Sequence, residues 1–357
     1  MVSPTTIGRQ SGELIPPETH RTVASHPCDL PRAEAGAAPS RTERIVIAAA
    51  SDEAYALPLT VMLRSAAEKL SPIQELEAYV VSDGLSSATR SRVEASLPRT
   101  ARLHWRTRPK DEFEGLPRWG RIALGTYHKV TLGSWLPAEV TKVIWLDCDT
   151  LILDDVSALW NEPLRGKTAL ACTDHLVPRL GAAFGVAGWR EIGLPAESPY
   201  FNAGVLAIDV ERWRRKDVER RSFEYLRRFA TRVWFWDQEA LNAVLAGDWE
   251  PLDNSWNHPP GVPPPAGVRS PRILHFSGNL KPWRVPGKGP LFMDYGRRID
   301  RTAWAGTRPV HSWSNQILAA YAQSPLRAAF LPMERLHMRW TRWSTFRIQQ
   351  ATRHPSP

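Results

Sequence analysis

A chain of 357 residues is long enough for one large domain or two ordinary ones, so size places no limit on a hydrophobic core. Hydrophobic residues at 43% and charged residues at 23% exclude a fibrous or wholly disordered protein, although 16 Trp and 31 Pro are high for this length. The net charge of +9 comes almost entirely from the stretch after residue 285, where eleven basic residues face three acidic ones; the near-neutral body argues against a nucleic-acid-binding core.

Residues 1–42 mix Pro16, Pro17, Pro27, Pro31 and Pro39 with small polar residues and show no period, which predicts a disordered leader. Neither an apolar signal core near the N-terminus nor an apolar run approaching ~18 residues is present. Three cysteines, Cys28, Cys148 and Cys172, form no CxxC pair and suit a reducing compartment; together these features point to a cytoplasmic protein.

The first strand is expected at Ile45-Val46-Ile47-Ala48-Ala49-Ala50, with a helix over 58–70. A second strand follows at 78–81, a helix at 86–97 ending at Pro98, a third strand at 103–105 and a helical stretch at 127–136. The strongest strand signal is Lys142-Val143-Ile144-Trp145-Leu146, bounded by Pro137 and Asp147. Later strands are expected at 168–172, 204–208 and 272–276, a helix at 236–245 and an irregular Pro-rich loop at 259–271. Strands alternating with helices predict a mainly parallel sheet, whose ligands bind beyond the carboxyl ends of its strands.

Asp147-Cys148-Asp149 stands at such an end. Alternation along an extended chain puts both carboxylates on one side with Cys148 opposite, and a divalent cation would relieve their repulsion and hold diphosphate oxygens. A solvated turn explains a bare D-x-D equally well. His275 ends another strand and can complete a metal site, its nitrogen favouring Mn²⁺ over Mg²⁺, whereas an isolated histidine is more often structural. Beyond it, Gly278 permits close backbone approach to a phosphate and Lys281 brings a compact cation.

Three further segments carry two readings each. Asp52 can accept the imide N–H of uracil with Tyr55 stacked on the base, or simply cap the following helix. Phe201-Asn202-Ala203-Gly204 leaves room for a ligand, with Asn202 bonding a sugar hydroxyl, or forms a plain turn. Asp237-Gln238 follows Trp234, Phe235 and Trp236, so the pair is either a dry polar site or a helix start.

Taken in order over residues 50–283, A-x-D-x-x-Y, D-x-D, F-N-A-G, D-Q and H-F-x-G-x-x-K-P-W resemble glycosyltransferase family 8, the group of glycogenin and the bacterial lipopolysaccharide glucosyl- and galactosyltransferases. The resemblance spans about two thirds of the chain, and its last motif is the most specific. It implies an α/β fold of the GT-A type, a single Rossmann-like domain over 43–285 with a mainly parallel central sheet flanked by helices. It also implies a retaining transfer of hexose from UDP-glucose or UDP-galactose to a glycan or glycolipid acceptor, with Mn²⁺ and with Mg²⁺ as the alternative. Asp147, Asp149 and His275 match the family's metal ligands; Ala50, Asp52 and Tyr55 its uridine contacts; Gly278 and Lys281 its diphosphate contacts. Asp174, Asn202, Asp237 and Gln238 match donor-sugar positions, with Gln238 facing the anomeric carbon and Asp237 the alternative nucleophile. One departure is Tyr127-His128-Lys129, where many members have arginine in a Y-x-R segment. Lys129 keeps the charge without the planar fork.

Two rival readings remain open here. Asp147 could be the nucleophile of a haloacid-dehalogenase-like phosphatase with Gly247-Asp248 and Asp253 as its last acidic motif, or the chain could bind nucleotide sugars without catalysis. In the basic extension, 286–357, Met333, Leu336, Trp340 and Trp343 fall in one helical stripe beside Arg335, Arg339 and Arg342. That pattern suits either a peripheral helix on an anionic membrane surface or a helix docked on the catalytic domain.

Overall fold

The computed structural model describes residues 43–309, apart from 110, 118–123, 261, 263–269, 279–280 and 288. The leader and the stripe of residues 333–343 lie outside the described residues. The chain runs β1 (Glu43–Asp52), α1 (Ala56–Ala67), β2 (Gln74–Asp83), α2 (Ser87–Glu94), β3 (Ala101–Arg106), α3 (Leu132–Trp135), β4 (Lys142–Leu146), β5 (Thr150–Ile152) and α4 (Val156–Trp160). It continues as β6 (Ala169–Thr173), β7 (Phe201–Asp209), α5 (Val210–Arg215), α6 (Val218–Arg228), α7 (Trp236–Val244), β8 (Trp249–Pro251), β9 (Ile273–His275) and α8 (Pro290–Ile299).

Seven strands form one mixed sheet in the order β3-β2-β1-β4-β7-β6-β8. Neighbours are parallel throughout except around β7, which runs antiparallel to both β4 and β6. The sheet is thus mostly parallel, as expected, but not uniformly so. No helix crosses back between β6 and β7, so the chain re-enters the sheet from the edge at which β6 left it and must reverse direction. The sequence Phe201-Asn202-Ala203-Gly204 is therefore the opening of a strand rather than a turn, and it sits beside the carboxyl ends of β4 and β6. Leu146 pairs with Val205 and Thr173 with Phe201, with a bulge between Ala171 and Cys172.

Side chains alternate across β1. Ile45, Ile47 and Ala49 join a core with α1, α2 and α4, while Ala48 faces a second core with Tyr79, Trp145, Leu206 and Trp213. Ten of the twelve residues of α1 are buried, because the helix is covered by the sheet on one side and by β5 and α8 on others. On α8, Tyr295 and Ile299 are buried, and Trp283 stacks on Tyr295 at 5.7 Å between ring centres. Among the described residues no helix is long and apolar enough to cross a membrane.

Two expected elements differ in detail. The stretch 127–136 splits into a 3-10 turn at Leu124–Lys129 and the single turn of α3, since Val130, Thr131 and Gly133 are weak helix formers and Pro137 stops the run. The strand ending at His275 lies outside the main sheet and pairs antiparallel with β5, setting Thr150 opposite His275 and Ile152 opposite Ile273.

The approach to β4 is held by one side chain. Arg214 on α5 donates to the carbonyls of Gly133, Leu136 and Pro137 at 2.8–2.9 Å and to those of Ala138 and Val140 at 3.3 Å. Arg214→Met should cost about 2–3 kcal/mol by stranding these carbonyls, a loss readable in urea denaturation; a change within experimental error would show that water replaces the arginine freely.

Candidate functional site

The chain leaves β4 at Leu146 into a tight turn. Thr150 bonds the Asp147 carbonyl through its N–H at 3.1 Å and its hydroxyl at 2.8 Å, and Phe276 N–H bonds the Asp149 carbonyl at 2.9 Å. Cys148 points into the core and donates to the Ala50 carbonyl, and burial followed by the two flanking carboxylates pushes its thiol far above the usual range. Asp147 and Asp149 do converge, but through this hydrogen-bonded turn instead of an extended strand.

His275 meets them across the β5–β9 pair. One ligand atom from each of Asp147, Asp149 and His275 lies within 4.8 Å of the other two, with His275 Nε2 at 3.2 Å from Asp149 Oδ1 and 4.0 Å from Asp147 Oδ2. The ring rests directly on Gly204. A Cβ there would stand 2.2 Å from His275 Cε1, so the glycine of F-N-A-G is dictated by the histidine. Two hard carboxylates and one imidazole on short, buried supports are a suitable donor set for a divalent cation such as Mn²⁺.

Two lysines offset the acids. Lys129, 3% exposed, lies 3.0 Å from Asp147 Oδ1 and 2.9 Å from Asp237 Oδ2, and its ammonium stands 5.5 Å from the Trp145 ring centre. Burial alone would lower the Lys129 pKa, but the two carboxylates outweigh it and raise it. Lys281 pairs with Asp149 and also donates to the Phe276 carbonyl. Burial would raise the Asp149 carboxyl, yet Lys281 and His275 together hold it well below the usual range.

On the other side of the cluster, Asp174 accepts from the N–H groups of Leu176 and Val177 and from the side-chain amides of Asn202 (2.9 Å) and Gln238 (3.2 Å). Gln238 also accepts from Ala203 N–H at 3.0 Å. Both oxygens of Asp237 are engaged, one by Lys129 and one by Thr126 Oγ1 at 2.6 Å. Trp236, just before this pair, has φ +39, a strained value for a non-glycine residue that starts α7 abruptly. Asp237 and Gln238 do open a helix, as the plainer reading had it, and they are also drawn into the polar cluster.

At the first strand, Asp52 caps the turn at Glu53–Tyr55 by accepting from Tyr55 N–H at 3.0 Å. Tyr55 lies edge-on to Trp283 at 5.9 Å and under the Arg284 guanidinium at 4.9 Å; burial and the Asp149 charge push its hydroxyl up to about 12. Gly278 has φ +85, which other residues rarely adopt. Beside His275 opens a cleft of about 480 Å³, including open solvent at its mouth, whose walls include Asn202, Asn254, Asn257 and His258.

Sequence reasoning passed over Asn242, Asn257 and Thr126. Asn242 clamps Phe201 through both its N–H and its carbonyl, and it stands four residues from Gln238 on one helix face, a spacing that could have marked it. Asn257 and Thr126 had no such signal. The phosphatase reading finds no site, because Asp248 binds Thr168 and Lys216 at the start of β6 and Asp253 is engaged in capping the turn Asn254–Asn257. The β6 start pairs with Ile208, across from Val143 at the far end of β4, away from Asp147.

The sequence profile described as "Glycosyl transferase family 8" matches residues 46–286. The chain is 25% identical to General stress protein A of Bacillus subtilis over 285 residues, covering 74% of this chain and 96% of that protein. It is 31% identical over 194 residues to a probable galacturonosyltransferase-like protein 8 of Arabidopsis thaliana, covering 47% of each. A crystal structure of the galactosyltransferase LgtC with donor and acceptor sugar analogues superposes with a TM-score of 0.62 at 26% identity, over 76% of this chain and 98% of that one. An active-site mutant of LgtC gives 0.64 at 25% identity, over 76% and 99%.

Lys129→Met should destabilise the protein by about 3–5 kcal/mol, because it leaves the buried Asp237 and the half-buried Asp147 without their shared cation. The double variant Lys129→Met/Asp237→Asn should recover part of that loss in denaturant titrations; equal stability of the single variant and the parent would remove the lysine from this role.

Proposed function

The chain belongs to glycosyl transferase family 8 and is a glycosyltransferase, and from that membership we propose that it moves glucose or galactose from a UDP-sugar to a glycan or glycolipid acceptor with retention of configuration. The observation that carries the reading is the convergence of Asp147, Asp149 and His275 beside the amide-bonded Asp174, Asn202 and Gln238. A divalent cation in the first group would neutralise charge on the diphosphate oxygens and so favour departure of UDP. Lys281 adds a cation on the same side, and Gly278 lets the backbone come close to a phosphate. Ala50, Asp52 and Tyr55 would hold the uridine, with Tyr55 backed by Trp283.

Asp174, Asn202 and Gln238 would orient the donor sugar. Retention requires either a protein nucleophile or departure and attack on the same face. Asp237 is 4% exposed and spends both oxygens on Thr126 and Lys129, so attack from it would first break a buried ion pair. Gln238 is an amide and a poor nucleophile. These features favour the same-face route, with the leaving phosphate oxygen helping to deprotonate the acceptor hydroxyl.

The acceptor would enter by the cleft beside His275, whose asparagines suit the hydroxyls of a sugar. A peripheral position on an anionic membrane rests on the pattern of residues 333–343 alone.

Incubation with a panel of UDP-sugars and Mn²⁺, with Mg²⁺ in parallel, should give donor hydrolysis in the absence of acceptor, strongest for one hexose. Asp149→Ala should abolish metal-dependent UDP binding in calorimetry and lower hydrolysis by about 100-fold or more, the scale for losing one well-placed electrostatic group. Unchanged hydrolysis in that variant would defeat the reading, and a covalent glycosyl adduct on Asp237 in mass spectrometry would replace the same-face route with double displacement.

A further inference from the structure

A histidine can serve a metal only through a nitrogen that keeps its lone pair, and the partner of the other nitrogen decides which one that is. Around His275 this choice is dictated by a hydrogen-bond chain whose polarity is fixed from its start. Gly204 N–H bonds Asn202 Oδ1 at 2.9 Å; a backbone N–H only donates, so that atom is the oxygen. The amide nitrogen of Asn202 accordingly faces Asp174 Oδ2 at 2.9 Å. Asn257 meets the same Asn202 oxygen at 2.9 Å, where only its Nδ2 can serve, and this turns its Oδ1 onto His275 Nδ1 at 2.8 Å. An oxygen at that position requires a proton on Nδ1. In the neutral ring that a metal needs, Nε2 then keeps its lone pair and faces Asp149 and Asp147.

The arrangement is built into the backbone. Asn257 is 8% exposed, and it follows Trp256, which is buried in the core. The next residue, His258, bonds β9 through its N–H to the Ile273 carbonyl at 2.9 Å and its carbonyl to His275 N–H at 2.9 Å. Asn257 and His275 are thus held in register by main-chain bonds that do not depend on either side chain.

We propose that Asn257 is the positioning residue of the metal site: it holds His275 as the Nδ1-protonated tautomer and so presents Nε2 to the cation. The inference deepens the metal reading above and rests on it. The same chain continues through Asn202 and Asp174 to Gln238, so the residue that orients the metal ligand also leans on the donor-sugar side.

The test uses the full-length protein and Mn²⁺ alone, titrated by calorimetry, with long-range ¹H–¹⁵N NMR of the histidine rings as a readout that needs no metal. Asn257→Leu, similar in size, removes both ends of the link; Asn257→Asp keeps an oxygen for the Nδ1 proton. The leucine variant should bind Mn²⁺ about 10–100-fold more weakly and lose the Nδ1-protonated pattern at His275, while the aspartate variant keeps the pattern and most of the affinity. If the leucine variant binds Mn²⁺ as tightly as the parent with an unchanged ring pattern, the inference is overturned alone. If the parent takes up no Mn²⁺, the metal reading falls and this inference with it. Should the leucine variant fail to fold, loss of the tautomer or of Mn²⁺ affinity in the aspartate variant overturns the proposal.

Discussion

Four carboxylates, those of Asp147, Asp149, Asp174 and Asp237, are brought to one edge of the sheet, and the surrounding structure is organised by the need to offset their charge. Two like charges about 4 Å apart repel by roughly 4 kcal/mol at the effective dielectric of a half-buried site, so such a group does not assemble without compensation. Lys129 bridges Asp147 and Asp237, Lys281 serves Asp149, and neutral amides serve Asp174. Two ammonium groups against four acids leave a deficit beside His275, and a divalent cation with a bound diphosphate is the chemistry that such a deficit suits.

Topology makes the gathering achievable. The antiparallel entry of β7 places Asn202 and Gly204 at the edge where β4 and β6 end, an edge that a wholly parallel sheet would line only with residues after its strands. The short β5–β9 ladder then brings His275 next to the D-x-D turn, although more than a hundred residues separate them in sequence. Close approach of the ring is possible only because position 204 lacks a Cβ.

Much of this was legible from residues in order. The apolar run 142–146 marks a strand to the residue, because it is short, β-branched-rich and bracketed by Pro137 and Asp147. The polar residues beyond each run pointed to the cluster of Asp147, Asp149 and His275, since a carboxyl strand end is where an α/β sheet exposes its ligands. The direction of β7 was not legible, because a strand's apolar pattern is the same read either way. Helix α6 escaped because its buried stripe, Val218, Ser222, Tyr225 and Leu226, includes a serine and is set among arginines and glutamates that dilute the period. Asn257 had no signature at all; its role exists only through its neighbours in space.

The lysine at position 129 illustrates how the fold interprets a departure from a family pattern. An arginine would present a larger planar fork whose donors point in fixed directions. Here the ammonium must reach Asp147 on the turn after β4 and Asp237 at the start of α7 at once, in a space where only 3% of the residue is exposed. A compact charge with freely rotating donors meets that geometry, and Thr126 takes the remaining oxygen of Asp237. Lys129 thereby ties the turn after β4 to the start of α7 through a single shared charge.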